Sequence, residues 1–568
     1  MHRPDARRRA LIAFPILTIA LFLGPVALGL MATALPSLGY LPASGGMTLT
    51  LEPLKRVLSD PALPAALTVT LFTGVGSTAL ALALVIGFLA AWHDSVWVRM
   101  ARRFLSPILA IPHAAAAIGL AFLIAPSGWI ARLISPWATG WDRPPDLLIV
   151  QDPLGVTLML GLTVKELPFL VLIALSAIGQ LNTDQQLRMA RSLGYGSATA
   201  WFKIVLPQLL PHLRLPVCAV LAYALSTVDM ALILGPSTPP PLAVLIVRWA
   251  QDPDLGFRFI AAAGGVLQLA VVVGALVTWL FSVRVYLACG PDRWTDGGRG
   301  RRSPLLRGVS MAALVCVLAT ALLSLIALLL WSLTGRWRYP DPWPQRWSLD
   351  PWMQGLQGLE AAIGTTLILG IASVALGLVL VIGCLEHEHR SGRPVGPQAL
   401  WILYTPLLVP QVTFLFGLQV LFIGARLDGT WIALIVSHLL FVVPYLFLAL
   451  AEPWRRFDPR LRATAATLGM GGLRTLVYVL LPILLRPVLV AVAVGFSVSV
   501  AQYLPTLFAG GGRLSTVTVE VVALSQGADR RVVAVAAFIQ AVLPLLVFAA
   551  AVTIPGLAYR KRRALRRW

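Results

Sequence analysis

Charge is scarce in this chain. Only 12% of its 568 residues are Asp, Glu, Lys or Arg, 58% are hydrophobic, and mean hydropathy is +0.82. A water-soluble domain has too little interior to hide that much apolar surface. Lysine is scarcer still: Lys55, Lys165, Lys203 and Lys561 are preceded by Leu54, Val164, Phe202 and Arg560, never by glycine. A phosphate-gripping Walker A loop needs a Gly-Lys-Ser/Thr run, so nucleotide hydrolysis by that route is excluded. The four cysteines, Cys218, Cys289, Cys316 and Cys384, fall in or beside apolar runs and none has CxxC spacing, which argues against zinc and redox motifs. No His/Asp/Glu group reaches metal-site spacing and no convergent catalytic set is visible, so a resident metal, a bound cofactor and an enzyme are not expected. The alternation of a transmembrane barrel is missing as well.

What is present is a series of long apolar runs. About 20 such residues cross the ~30 Å hydrocarbon core as a helix, and a helix satisfies its backbone polar groups internally. Twelve spans are expected, near 10–34, 65–91, 104–125, 154–178, 211–235, 260–284, 308–332, 359–384, 399–423, 430–451, 483–508 and 533–558. The first follows Arg3, Arg7, Arg8 and Arg9 and is too long for a signal-peptide core, so it reads as a retained span. The fold class is therefore all-α integral membrane, with about twelve transmembrane helices in two six-helix halves.

The net charge of +21 does not point to nucleic acid, because the basic residues sit in short loops. With the N-terminus inside, inner segments hold more than twice as many Lys and Arg as outer ones, so the positive-inside rule places both termini in the cytoplasm. The stretch LACGPDRWTDGGRGRRSPLL at 287–306 reads as a cytoplasmic linker. It divides the chain into a first half (1–290), a linker (291–306) and a second half (307–568).

The halves repeat. Residues 183–207 read TDQQLRMARSLGYGSATAWFKIVLP and residues 458–482 read DPRLRATAATLGMGGLRTLVYVLLP. Gly194, Ile204, Leu206 and Pro207 match Gly469, Val479, Leu481 and Pro482 at a constant offset of 275. Leu167-Pro168-Phe169 answers Val443-Pro444-Tyr445, and Thr70-Leu71 answers Thr366-Leu367. Each copy predicts a short capped helix. Thr183 and Gln186 suggest a capping box, Asp458 an N-cap ahead of Pro459, and each glycine a helix end. Internal duplication of this kind is common in transporters.

This repeated element resembles the EAA loop of ABC importer permeases: Glu-Ala-Ala, three residues, Gly, nine residues, Ile, one residue, Leu-Pro. The Gly-to-Leu-Pro part is present twice. The Glu-Ala-Ala part is altered to Arg188-Met189-Ala190 and Ala463-Thr464-Ala465, which puts one polar contact to the ATPase in doubt. The resemblance covers essentially the whole chain and is to the fused, double-length permeases of the iron(III)/thiamine type, YnjC-like branch, with Ser497–Phe508 especially similar. It implies a bacterial inner-membrane permease subunit with no ATPase activity of its own. The implied partners are two copies of a cytoplasmic ABC ATPase, which carry ATP and Mg, and a periplasmic substrate-binding protein.

Ionisable groups inside spans are functional candidates by default. Ser226, Thr227 and Asp229 in the fifth span, and Ser499, Gln502 and Tyr503 in the eleventh, are candidates to line the path; small polar residues that bond helix to helix are the alternative. Asp229 would favour a cationic substrate. Lys165 is expected to snorkel outward, and His113 and His438 to be packing hydrogen-bond groups. A single-chain secondary transporter is the alternative function, and co-purification of ATPase subunits separates the two.

Overall fold

The computed structural model describes residues 6–560 except 94, 291–295, 301–303 and 393–395. Parts of the linker, Arg3 and the basic tail to Trp568 therefore lie outside the described residues. Ten helices of each half carry its spans and site, joined by turns and by further short helices such as Glu52–Leu58 and Trp129–Ile134. In the first they are α1 (Ala6–Ser37), α2 (Leu63–Trp92), α3 (Val96–Leu109), α4 (His113–Ile124), α5 (Val156–Ile178), α6 (Thr183–Ser192), α7 (Leu206–Ser226), α8 (Asp229–Leu234), α9 (Leu242–Ala250) and α10 (Phe257–Ala288). In the second they are α11 (Pro304–Ser332), α12 (Asp350–Ser391), α13 (Pro397–Leu408), α14 (Gln411–Gly424), α15 (Trp431–Arg455), α16 (Pro459–Thr467), α17 (Leu485–Ala501), α18 (Leu504–Ala509), α19 (Val517–Ser525) and α20 (Arg530–Ala558). Shorter turns connect them. Among the described residues, ten helices are long and apolar enough to cross a membrane, or twelve if two sharply bent pairs each count as one span.

Several predicted spans are not straight. The run at 104–125 breaks between α3 and α4, and its counterpart breaks between α13 and α14, with an 87° bend. Pro112 and Pro410 stand at those breaks in extended conformation, immediately before the next helix. Proline has no N–H to continue a helix and constrains the residue before it. The run at 211–235 also breaks, at Thr227–Val228, and the run at 483–508 at Gln502–Tyr503. The latter bends a second time, by 82°, at Leu484. Pro487 cannot donate to the carbonyl of Ile483 there.

The first helix of each half packs on the other half. α1 lies against α14 and α12, and α11 lies against α4 and α2. Small residues permit the approach: a Cβ on Gly417 of α14 would collide with the backbone oxygen of Gly29, and one on Gly119 of α4 would meet the backbone of Ser324. Close backbone contact through glycine is how membrane helices gain packing energy without a hydrophobic drive. Hydroxyls add bonds across the same seam. Thr33 Oγ1 donates to Thr413 O at 2.6 Å, and Thr413 Oγ1 donates to Gly265 O at 2.8 Å.

Candidate functional site

Counted with each bent pair as one span, twelve crossings among the described residues return the chain to its starting side, and each repeated loop then follows an even number of crossings, on the terminal face. The loops share one backbone design. Gly194 and Gly469 have φ of 85° and 74°, a left-handed conformation that costs a side chain but not glycine. Gly194 N–H donates to Arg191 O and Tyr195 N–H to Ala190 O; Gly469 N–H donates to Ala466 O and Met470 N–H to Ala465 O. Both helices thus end in a Schellman motif. A π-helical turn follows in each, Trp201–Val205 and Leu476–Leu480. Pro207 and Pro482 explain it: each lacks the N–H for the ordinary bond one turn back, and the widened turn absorbs the gap. The start of α16 is as expected, with Asp458 accepting from Arg460 N at 2.9 Å. The capping box of α6 does not form. Asn182 holds the cap position without a side-chain bond, and Gln186 accepts from Gln208 Nε2 at 2.8 Å instead.

The faces of these loops are divided. Ala190 and Ala465 are buried, as is Leu206; Ile204, Pro207, Val479, Leu481 and Pro482 are half-buried; and Arg188 and Ala463 are exposed. Large apolar residues point outward beside them. Met189 is 61% exposed, Leu193 63%, Leu468 75% and Leu473 73%.

Side chains hold the two loops differently. At α16, the buried Glu386 of α12 accepts from Arg462 Nη1 at 2.9 and 2.8 Å and from Arg390 Nε at 2.8 Å. Arg455 donates to Glu388 nearby, at 2.8 Å. At α6, Arg191 Nη2 lies 2.9 Å from Nε2 of His93, at the end of α2, and a second clasp comes from residues 296–300. Lys203 Nζ donates to Asp296 Oδ1 and, at 2.9 Å, to Gly298 O, and Gly196 N–H donates to Arg299 O at 2.8 Å. The Lys203 hydrogen bond, seconded by Gly298 N–H, holds the Asp296 carboxyl below the usual carboxylate range. None of these clasps was foreseen. Glu386 closes a 42-residue helix and gives no local sign of its partner 76 residues on.

Within the bundle, the breaks at Thr227–Val228 and Gln502–Tyr503 keep the offset of 275. Thr227 therefore stands where Gln502 stands, and the counterpart of Asp229 is Leu504. Thr227 Oγ1 donates to Asp229 Oδ1 at 3.0 Å, and Tyr223 OH reaches the same oxygen at 3.5 Å. Ser226 Oγ instead bonds its own helix at Ala222 O, 2.6 Å. In the second half Ser499 Oγ and Thr506 Oγ1 lie 2.9 and 3.0 Å from the two nitrogens of His438. Gln502 is buried and Tyr503 half-buried. No hydrogen bond among the described residues joins the two groups. The halves meet nearby, where Gln526 Nε2 donates to Leu232 O of α8 at 3.2 Å.

Lys165 corrects the snorkelling expectation. It is buried, and its Nζ donates to Ile111 O at 2.6 Å and Ile108 O at 3.3 Å. A cation beside the last carbonyls of a helix meets the negative end of its dipole, and here it caps the broken end of α3. Glu166 turns the other way, accepting from Ser77 Oγ at 3.2 Å. The repeated threonines also find a purpose. Thr70 Oγ1 accepts from Leu242 N and Thr366 Oγ1 from Val517 N, both at 2.9 Å, so each ties the first residue of α9 or α19 to the long helix beside it.

The same frame recurs in known proteins. The family of binding-protein-dependent transport system inner membrane components matches residues 83–288. The inner membrane ABC transporter permease protein YnjC of Escherichia coli (strain K12) is 33% identical over 510 residues, covering 88% of this chain and 90% of that protein. This chain belongs to the inner-membrane permeases of binding-protein-dependent ABC transport systems. A spermidine/putrescine transport system permease protein PotC homolog of Mycoplasma genitalium is 23% identical over 166 residues, 28% of this permease and 58% of that relative. The permease is thus a double-length, multi-pass subunit of an ABC importer, a transport subunit that works with ATPase and substrate-binding subunits.

Proposed function

We propose that the loops around α6 and α16 are EAA-type coupling loops, each seated on one of two ABC ATPase subunits. The ATP and Mg belong to those subunits. Both termini are then cytoplasmic, as the distribution of Lys and Arg favours. The observation that carries this reading is the duplicated device on one face: a short helix, a Schellman end, a π turn and Leu-Pro, with exposed Met189, Leu193, Leu468 and Leu473. Apolar side chains held out beside a tightly hydrogen-bonded turn suit a partner's groove. Closure of the ATPase pair would pass through these loops to the breaks at Thr227 and Gln502, where the path runs. By build the permease is of the iron(III)/thiamine type, and Asp229 on that path favours a cationic substrate.

Replacing both Gly194 and Gly469 by Trp tests the coupling. A side chain at either φ is strained by ~1–2 kcal/mol, and an indole would fill the docking face. Substrate-stimulated ATP hydrolysis and transport are expected to vanish while membrane insertion persists. Full stimulation in the double variant would refute the assignment.

A further inference from the structure

Residues 296–300, between the two halves, are built onto the first repeated loop. Three contacts fix them: Asp296 on Lys203, Gly298 O on the same ammonium, and the backbone bond from Gly196 to Arg299. Lys203 also lies 5.4 Å from the centre of the Tyr195 ring. Two glycines have the backbone this docking needs. Gly297 and Gly300 have φ of 71° and 63°, and a Cβ on Gly300 would collide with Thr199 Oγ1. The sequence Asp-Gly-Gly-Arg-Gly is therefore shaped to lie flush on the loop.

Its consequence is at Gly194. A Cβ there would meet Arg299 Cδ at 3.5 Å and Nη1 at 3.6 Å, whereas one on Gly469 would meet nothing within 4 Å. Arg299 thus lies across the C-terminal end of α6, where a cation meets the negative end of the helix dipole, and it stays exposed. The exposed surface of the first loop carries Arg188, Met189, Leu193 and Arg299; that of the second carries Arg460, Leu461, Leu468, Leu473 and Arg474, with nothing laid across Gly469.

We infer that residues 296–300 are part of the first ATPase-docking surface, with Arg299 meeting a carboxylate on the rim of the ATPase groove, so that the two docking sites differ chemically. This rests on the coupling reading above. Both sites set exposed arginine beside apolar side chains; the first gains the Arg299 contact and is the more weakened by salt.

The test uses the full chain with the ABC ATPase subunit that co-purifies with it from its own membrane. Native mass spectrometry counts bound ATPase copies as salt is raised. The wild-type chain is expected to hold two copies. Arg299→Glu should weaken one copy by ~tenfold, the scale of a like-charge juxtaposition at an interface, and leave complexes with a single copy at moderate salt. Asp296→Ala, which frees the segment without reversing charge, should move the same way by less. Leu468→Asp, in contrast, should remove the other copy at every salt concentration. Two copies retained by Arg299→Glu with wild-type salt dependence would overturn the inference and leave the coupling reading intact. A wild-type chain that holds no ATPase subunit would instead overturn the coupling reading, and this inference with it.

Discussion

The two halves of the permease share a backbone and differ in what fastens it. At both loops the Schellman end, the π turn and the following Leu-Pro are superposable in sequence by a shift of 275. The fastenings are not. The second loop is latched by the carboxylate Glu386, buried under Arg462 and Arg390, while the first is latched by the imidazole of His93 against Arg191 and by a docked stretch between the halves. The bundle shows the same contrast. The first half carries Lys165, Glu166 and Asp229 near its helix breaks; the matching positions of the second hold Phe441, Val442 and Leu504, and a His438 clasp does the joining. Features that need a particular backbone, such as a left-handed glycine or a missing N–H, are met by few residues and so stay alike. A side-chain latch has many solutions, so the two copies differ.

The largest effect expected from breaking this contrast is at Glu386. Glu386→Gln leaves Arg462 and Arg390 without their carboxylate, and removing one partner of a buried ion pair costs about 3–5 kcal/mol. Glu386 is 4% exposed and Arg462 14%, so the lower end applies. Hydrogen exchange should quicken across 459–470 and stay unchanged across 183–195. Equal loss of protection in both loops would show that the latch is not local.

A smaller effect is expected inside the first half. Lys165→Met keeps the volume but leaves Ile108 O and Ile111 O without their donor, at about 1–3 kcal/mol for buried groups left unsatisfied. The melting temperature of the purified permease should fall. A Lys165→Met protein as stable as wild type would remove the capping role.

The smallest effect is the pH response of the clasp at Asp296. Its carboxyl is depressed by Lys203, so the clasp's contribution is present above the ordinary aspartate range and is lost only as pH falls through the depressed value. The rate of thiol labelling of Thr199→Cys, divided by that of a free thiol at the same pH, should therefore stay level from about pH 8 to about pH 5 and rise only below about pH 4. Labelling that rises between about pH 7 and pH 5 would point to another group.

Much of this was legible from the residues. Hydropathy gave the spans because lipid leaves helices few alternatives, and the repeat gave the loops because Gly194, Pro207, Gly469 and Pro482 mark backbone events. The breaks at 110–112 and 409–410 were marked by Pro112 and Pro410, yet continuous hydropathy hid them. Lys165 misled because its partners are backbone carbonyls, 54 and 57 residues away, at such a break. Glu386–Arg462 and Asp296–Lys203 were invisible because each joins segments distant in sequence. The alignment of Thr227 with Gln502 follows from the shift of 275, and Asp229 drew attention from it by being the charged neighbour.

The most direct test of the coupling claim is crosslinking from the two loops. A photoreactive residue at Met189 or at Leu468 lies on exposed apolar surface of the terminal face. Irradiation of intact membranes should join each position to an ABC ATPase subunit, at comparable yield and with a response to ATP. The equivalent label at Trp343, exposed beyond the far end of α11, should not capture an ATPase. Crosslinks to an ATPase from neither loop, or from Trp343 instead, would contradict the assignment of both loops and the orientation of the permease together.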